Sequence, residues 1–314
     1  MNRTLFAKEL RANLFVSAII AAVLAMYIGT IVAMYDPKLG KSLDAMMQSM
    51  PELFAAFGMS MQATTLLEFM LNYLYGFLLT IFILVLILVM ANKLMVRYLD
   101  RGAMAYLLAT PNSRTRIACT MIGVMVAVLV GLCALVTALE AGFAEALFPG
   151  DLDVQALVQV NLGLLALWLA MAGLCFLSAC LFSNSSAALW TGGGLCILFF
   201  LMQMVSQAGD KFEFLKNVNP LTLFDYYGLA AGDASAVGGA IALAAGAVAL
   251  FAAAVVVFDR RDLEYLAGST MREGAPPRTG ASGPTALPVY SQAKFSVPAP
   301  TSKWYFAMPR SMAV

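Results

Sequence analysis

Long apolar runs separated by short polar segments form the main pattern of this chain. A membrane-spanning helix needs about 20 mostly apolar residues to cross the ~30 Å hydrocarbon layer. Six runs approach or exceed that length, at about residues 14–34, 66–95, 116–139, 154–182, 186–206 and 237–258. The second and fourth exceed a simple crossing, so we expect them to be tilted or to extend beyond the bilayer. The predicted fold class is an all-α integral membrane protein with six transmembrane helices.

The distribution of lysine and arginine predicts which ends of the spans face the cytoplasm, because these residues are enriched on that side. Ten of them fall on one side: Arg3, Lys8, Arg11, Lys93, Arg97, Arg101, Arg114, Arg116, Arg260 and Arg261. Four fall on the other side: Lys38, Lys41, Lys211 and Lys216. We therefore expect both termini to be cytoplasmic. The opposite, outer segments are rich in acids, among which we place Glu140, Glu145, Asp151 and Asp153.

The predicted organisation is an N-terminal stretch 1–13, a six-helix transmembrane domain 14–265 and a tail 266–314. Residues 1–13 mix apolar and basic side chains, which is typical of a short amphipathic helix lying along the membrane interface. The same residues equally fit the basic flank of the first span. Residues 207–236 make a long outer connection, in which we expect a hairpin of short helices. The tail is rich in Pro, Ser and Gly, so we expect a disordered cytoplasmic segment.

Composition and charge exclude several classes of protein. Hydrophobic residues make up 61% of the chain and charged residues 12%, about half the ~25% that soluble domains carry. A net charge of +1 gives no reason to expect a nucleic-acid partner. The chain has no histidine, which removes the commonest metal ligand and general base. Its five cysteines all fall within apolar runs, where we expect small buried hydrophobes rather than a disulfide framework.

Motifs for nucleotide or metal binding do not fit the chain. Residues 40–42 read GKS, as at the end of a phosphate-binding loop, but the glycine required five positions earlier is Tyr35. Cys175 and Cys180 are five residues apart, which is poor spacing for a metal on one helix face. We therefore expect no catalytic residue, no metal site and no cofactor in this chain. It is predicted not to be an enzyme.

Five polar residues within or near the spans are candidates for a transport path, since burying polar groups in lipid is costly. They are Glu68 and Asn72 on the second span, and Gln155, Gln159 and Asn161 on the fourth. Glu68 and Asn72 are four residues apart and so share a helix face. An alternative interpretation places the five at helix ends or in hydrogen bonds between helices. The sequence leaves both interpretations open.

The segment between the second and third spans predicts a short amphipathic helix. If Asp100 caps a helix that runs to Ala109, then Met104, Leu107 and Leu108 share one face. Pro111 disfavours helical geometry at the residue before it, so the helix should end there. We expect Asn112 or Ser113 to cap the third span. Such a helix can dock in the groove of a partner, or it can rest on the membrane surface.

That segment resembles a stretch found in the permease subunits of type-2 ABC exporters. It reads DRGAMAYLLATPNSRTRI, similar to the family pattern E-x-G-T-L-x-x-L-L-A-T-P-x-S-R, with Asp100, Ala103 and Met104 in place of Glu, Thr and Leu. Three further stretches are similar to family sequences: FAKELR (Phe6–Arg11), NPLTLFDYY (Asn219–Tyr227) and FDRRDL (Phe258–Leu263). The resemblance covers about residues 1–265, which would make 14–265 the permease domain.

The resemblance implies the membrane subunit of an ATP-driven exporter in the cytoplasmic (inner or plasma) membrane, and we expect a bacterial one. Its expected partners are a cytoplasmic ABC ATPase subunit that binds ATP and Mg²⁺, a second copy or a paralogous permease, and the lipid bilayer. A coupling helix at about 99–111 would contact the ATPase. The contact residues implied are Asp100, Arg101, Met104, Leu107, Leu108, Pro111 and Arg114.

Two other functions remain open from the sequence. One is a secondary transporter driven by an ion gradient, which needs an intramembrane carboxylate, for which Glu68 is the sequence candidate. The other is a membrane anchor that recruits a partner through its tail and transports nothing.

Overall fold

The computed structural model describes residues 2–35, 65–96, 113–182, 185–207 and 218–273, together with 49–50, 53, 55 and 214–215. The chain divides into two units, Met1–Thr270 and Met271–Val314. The first unit holds the membrane helices described below. The last described helix continues to Glu273, so residues 266–273 of the predicted disordered tail are helical. The disorder predicted for residues 274–314 lies outside the described residues.

Eight α-helices are described. They are α1 (Arg3–Met34), α2 (Leu66–Met70), α3 (Leu78–Ala91), α4 (Arg114–Leu147), α5 (Val154–Leu181), α6 (Ser185–Gln207), α7 (Tyr226–Ala231) and α8 (Ala234–Glu273). A π-helical turn, Leu71–Tyr75, follows α2, and a second one, Asn92–Val96, follows α3. A 3-10 turn, Pro220–Leu223, precedes α7. The described part of the chain contains no strand, so the predicted all-α fold class is confirmed.

Six of the described helices are long and apolar enough to cross a membrane, which confirms the predicted number of spans. They are Arg3–Met34, Leu78–Met95, Arg114–Leu147, Val154–Leu181, Ser186–Gln207 and Ala234–Arg260. The structure differs from the sequence prediction at four helices. The predicted second span 66–95 is interrupted at Gly76 and Phe77, so only Leu78–Met95 is long and apolar enough to cross. Helix α8, predicted as a span at 237–258, runs from Ala234 to Glu273. Residues 3–13 are helical but continue without a break into the first span, and α4 extends to Leu147 rather than to residue 139. The cytoplasmic placement of the termini stays a prediction.

Polar side chains fix where several helices begin. The Ser113 side chain accepts a hydrogen bond from the backbone N–H of Arg116, as predicted for the start of the third span. Thr65 and Glu68 form a reciprocal capping box at the start of α2. Asp153 accepts from two backbone N–H groups at the start of α5. Each cap satisfies donors that the helix itself leaves unpaired.

The core of the membrane unit surrounds α5, the most deeply buried of the six spans. Trp168 and Phe176 of α5 are among the largest fully buried side chains of the described residues. Helices α3, α4, α6 and α7 all pack against α5, while α1 lies along α4. Helices α1, α6 and α8 are the least buried of the six spans, so they form the outer faces of the bundle.

A glycine permits the close packing of α6 on α5. A side-chain carbon at Gly192 would lie 2.8 Å from Cβ of Ser178 and 3.0 Å from Cα of Cys175. Gly194, two residues further along α6, has no atom of the described residues within 4 Å of the corresponding position. Among the described residues, glycine therefore permits a close helix contact at Gly192, whereas Gly194 makes none.

We predict that Gly192→Val destabilises the protein, whereas the matched control Gly194→Val leaves its stability nearly unchanged. Overpacking a close helix contact typically costs about 1–3 kcal/mol, and Gly194 has room for the added carbons. The measurement is thermal unfolding of the two purified variants in detergent. Equal unfolding temperatures for the two variants would contradict the packing described at Gly192.

Candidate functional site

Three polar side chains from three separate elements meet inside the helix bundle. Oε2 of Glu140 on α4 lies 2.8 Å from Nδ2 of Asn161 on α5 and 3.0 Å from the hydroxyl oxygen of Tyr75. That hydroxyl oxygen also lies 3.0 Å from Oδ1 of Asn161. The three side chains are 0%, 2% and 1% exposed. We call Glu140, Asn161 and Tyr75 the polar junction.

Counting hydrogens favours one protonation state of the junction. Each of its three contacts needs one hydrogen, and if Glu140 is ionised the Tyr75 hydroxyl has one hydrogen for two oxygen acceptors. One contact would then join two acceptors. Exchanging the amide nitrogen and oxygen of Asn161 only moves that conflict to another contact. All three contacts are hydrogen bonds if the Glu140 carboxyl carries a proton.

The second carboxyl oxygen of Glu140 supports this assignment. Oε1 is buried and has no hydrogen-bond partner among the described residues. An ionised carboxylate in such surroundings would leave charge without solvation, which costs far more than burying a neutral acid. A neutral Glu140 can remain inside the bundle at a tolerable cost.

The segment before α3 positions Tyr75. The capping box at Thr65 starts α2, and the π-helical turn Leu71–Tyr75 follows it at once. A π turn widens the helix and rotates the side chains that follow, and such turns are frequent at functional sites. Both Asn72 and Tyr75 belong to this turn, and both are buried.

The same turn holds α7, which lies in the hairpin segment predicted at residues 207–236. The Tyr227 hydroxyl of α7 donates a hydrogen bond to Oδ1 of Asn72. The rings of Tyr75 and Tyr226 stack with centroids 6.4 Å apart, and those of Tyr226 and Tyr227 lie 4.5 Å apart. Burial, with a smaller contribution from Tyr227, raises the pKa of Tyr226 well above its usual value, so its hydroxyl stays neutral. The polar junction is therefore joined to α7 through its own Tyr75.

Two cavities lie beside these groups. A small one, about 20 Å³, is lined by Tyr75, Tyr226, Gln203 and Gln207, and it has room for roughly one water molecule. A larger one, about 250 Å³, lies between α5, α6 and α8. Its lining is apolar and includes Met171, Leu174, Cys196, Phe199, Leu243 and Leu250.

Comparison with known families gives one match. Residues 3–263 match the model of the ABC-2 family transporter protein. The chain belongs to this family. No curated protein and no solved structure matches the chain. The match spans all six transmembrane helices, so the protein is a multi-pass membrane permease of an ABC transporter, and the resemblance found in the sequence is confirmed. Permeases of the ABC-2 family are membrane components that pair with an ATPase subunit.

The structure separates the five residues predicted for a transport path in this permease. Asn161 belongs to the polar junction, and Asn72 binds Tyr227. The Glu68 carboxylate accepts the N–H of Thr65 in the capping box. On α5, Gln155 is exposed and Gln159 is half-buried. The five side chains thus have different surroundings, and a common path through them stays a prediction.

The predicted contacts with the ATPase fall mostly outside the described part of the permease. This applies to Asp100, Arg101, Met104, Leu107, Leu108 and Pro111, and to the coupling helix 99–111 as a whole. Arg114 is described and is the first residue of α4, where it is half-buried. The coupling surface therefore stays a prediction from the sequence.

One sequence prediction about an acidic residue was wrong. Glu140 was expected in an outer connection, but it lies within α4 and is fully buried. The helix continues through the next residues, AGFAEAL, to Leu147. One buried face is formed by residues spaced four positions apart: Val136, Glu140 and Ala144. That spacing was a readable signal of helix continuation. The aromatic partners Tyr75, Tyr226 and Tyr227 were not predicted as site residues.

We predict that Glu140→Gln is tolerated, whereas Glu140→Ala lowers the free energy of unfolding by about 1–3 kcal/mol. A neutral amide can satisfy all three contacts if the Asn161 amide turns over, while alanine leaves two buried polar groups short of a partner. Chemical unfolding of both variants in detergent tests the difference.

Infrared spectroscopy tests the proton directly. The wild-type permease at neutral pH should show the carbonyl stretch of a protonated carboxylic acid that is absent from Glu140→Gln. Identical spectra for the two proteins in that region would show that Glu140 is ionised, against the hydrogen count.

Proposed function

We propose that this ABC-2 permease is the membrane subunit of an ATP-driven exporter that moves its substrate across the cytoplasmic membrane of a bacterium. A separate cytoplasmic ABC ATPase subunit would bind ATP and Mg²⁺ and supply the energy. The main support is the family match over residues 3–263, together with six apolar helices. The lack of a phosphate-binding loop in the sequence agrees with this division of labour.

A second permease, either another copy or a paralogue, would complete the membrane part. The faces of α1 and α6 leave large apolar side chains uncovered, including Phe15 at 74% and Trp190 at 78% exposure. Apolar surface of this kind is compatible with both lipid and a neighbouring permease. The exposed faces therefore leave ample area for a partner within the bilayer.

Helix α4 supplies a physical route for coupling. It begins at Arg114, directly after the predicted coupling helix, and continues unbroken past Glu140. At 1.5 Å per residue, the 26 positions from Arg114 to Glu140 span roughly 39 Å. A force applied near residues 99–111 would thus reach the polar junction along one continuous helix. The N–H of Asn2 also bonds to the Thr120 side chain, which attaches the start of α1 to the same helix.

The outer hairpin is the proposed gate of the pathway. Its helix α7 is held to the second span by the hydrogen bond from Tyr227 to Asn72 and by the stacking of Tyr226 on Tyr75. A shift of α4 would move Glu140 and, through it, Tyr75. The outer end of the bundle would then open when these aromatic contacts separate.

We predict that Tyr227→Phe loosens α7, because it removes the hydroxyl that binds Asn72 and keeps the ring. A hydrogen bond worth about 1 kcal/mol corresponds to roughly a fivefold change in an opening equilibrium. Hydrogen-exchange mass spectrometry should therefore show about fivefold faster exchange across residues 226–231. The matched control is Tyr27→Phe on α1, where the ring packs on Phe82. Equal exchange in both variants would remove α7 from the proposed gate.

We predict that Leu107→Asp uncouples the transporter. A charge placed in an apolar docking groove costs more than the 1.4 kcal/mol that a tenfold change represents, so substrate-stimulated ATP hydrolysis should fall at least about tenfold. The measurement uses the permease purified with its ATPase. The matched control is Leu287→Asp in the tail, which should behave as wild type. Wild-type stimulation in the Leu107 variant would refute the assigned coupling surface.

Glu140 also gives the secondary-transporter alternative a better candidate than Glu68. It is a fully buried carboxyl within a span, whereas Glu68 caps a helix. Transport driven by a proton gradient in vesicles without an ATPase, lost in Glu140→Gln, would favour that alternative over the exporter. Loss of all function on deleting residues 267–314 would instead favour the membrane anchor.

A further inference from the structure

Two thiols on neighbouring spans lie in contact inside the bundle. Sγ of Cys175 on α5 is 3.7 Å from Sγ of Cys196 on α6, and both side chains are buried. All five cysteines are free thiols in this structure, and Cys119 on α4 is the exposed one among them. The pair joins residues 21 positions apart, so it arises from the packing of the two helices.

The contact is held by the helix backbones rather than by flexible side chains. Gly192 lies one turn before Cys196, and a side-chain carbon there would come within 3.0 Å of Cα of Cys175. The hydroxyl of Ser178, one turn after Cys175, donates a 2.7 Å hydrogen bond to the backbone carbonyl of Ala188. Both contacts lie on the side of the thiols that faces the connection between the two helices, and they fix α6 against α5 there. The sulfur atoms therefore face each other as a property of the fold.

The surroundings decide between a metal site and a disulfide. Cys196 lines the apolar cavity of about 250 Å³, and no group of three or more metal-ligating His, Cys, Asp or Glu residues occurs in the described parts of the chain. Zinc usually takes four ligands. Two thiolates binding Cu(I) would leave a net negative charge in an apolar region, which is costly. A disulfide carries no charge, so burial does not oppose it.

The geometry allows a bond after a small movement. A disulfide has a sulfur–sulfur distance of about 2.05 Å, so the two sulfur atoms must approach by about 1.7 Å. Rotation about the Cα–Cβ bonds moves sulfur atoms over such a distance without moving the helices far. We propose that Cys175 and Cys196 form a dithiol–disulfide site that joins α5 to α6.

The reaction removes one hydrogen atom from each thiol and forms one sulfur–sulfur bond. The two electrons and two protons pass to a small membrane-soluble acceptor, such as a lipid quinone, which becomes the quinol. The cavity beside Cys196 is close in size to the smaller ligand pockets of proteins, so an acceptor of modest size can approach that thiol. Larger, charged oxidants such as glutathione disulfide would be excluded by the apolar lining.

The test counts thiols, and its outcome does not depend on transport. In a Cys119→Ser background, which prevents disulfides between molecules, four cysteines remain. Membranes are treated with diamide, a permeant azo compound that takes up the two hydrogens as a hydrazine. The protein is then unfolded and labelled with a maleimide polymer. We expect the number of labelled thiols to fall from four to two, and dithiothreitol to restore four.

Matched variants identify the pair. Cys175→Ser and Cys196→Ser, each in the same background, should keep all their remaining thiols after oxidation, whereas Cys180→Ser on α5 should still lose two. Mass spectrometry of the oxidised and digested Cys119→Ser protein should recover two peptides joined by a disulfide between Cys175 and Cys196. Four labelled thiols after oxidation, or a loss that persists in Cys175→Ser, would overturn the proposal. The first of these results needs no substitution at the pair, so it does not depend on the folding of a variant.

Discussion

The need to pair every polar group inside the membrane constrains this structure most strongly at Glu140. Lipid supplies no hydrogen bonds, so a buried carboxyl needs partners from within the protein. Glu140 obtains them from α5 through Asn161 and from the π-helical turn through Tyr75, and the hydrogen count favours a neutral acid. These bonds fix three elements relative to one another. The π-helical turn then carries the constraint to the outer hairpin through Tyr226 and Tyr227.

The bundle around this junction has a buried centre and exposed outer faces. Helix α5 is buried on most sides, whereas α1, α6 and α8 form the outer faces and expose apolar side chains. Helix α4 contacts both regions, because it packs along α1 and also contributes Glu140 to the centre.

The sequence predicts the six spans well, since their length and apolar composition are set by the thickness of the bilayer. It also predicts local features such as the Ser113 cap, which depend on neighbouring residues only. The junction was not predictable in the same way, because Tyr75 lies 65 positions from Glu140 and 86 from Asn161. The sequence misplaces Glu140 because an acid near the end of an apolar run resembles the end of a span, whereas the helix continues to Leu147. The contact of Cys175 with Cys196 likewise depends on how two helices pack.

The exposed thiol of Cys119 makes α4 a convenient place for a spectroscopic reporter. The other four thiols are buried, so a membrane-permeant maleimide dye should react there first. Cys119 lies less than two turns from the start of α4, close to the predicted coupling helix at about residues 99–111. A fluorophore at this position would report the environment of that helix end in the native protein, without any engineered cysteine. The permease thus carries its own attachment point for observing motion during turnover.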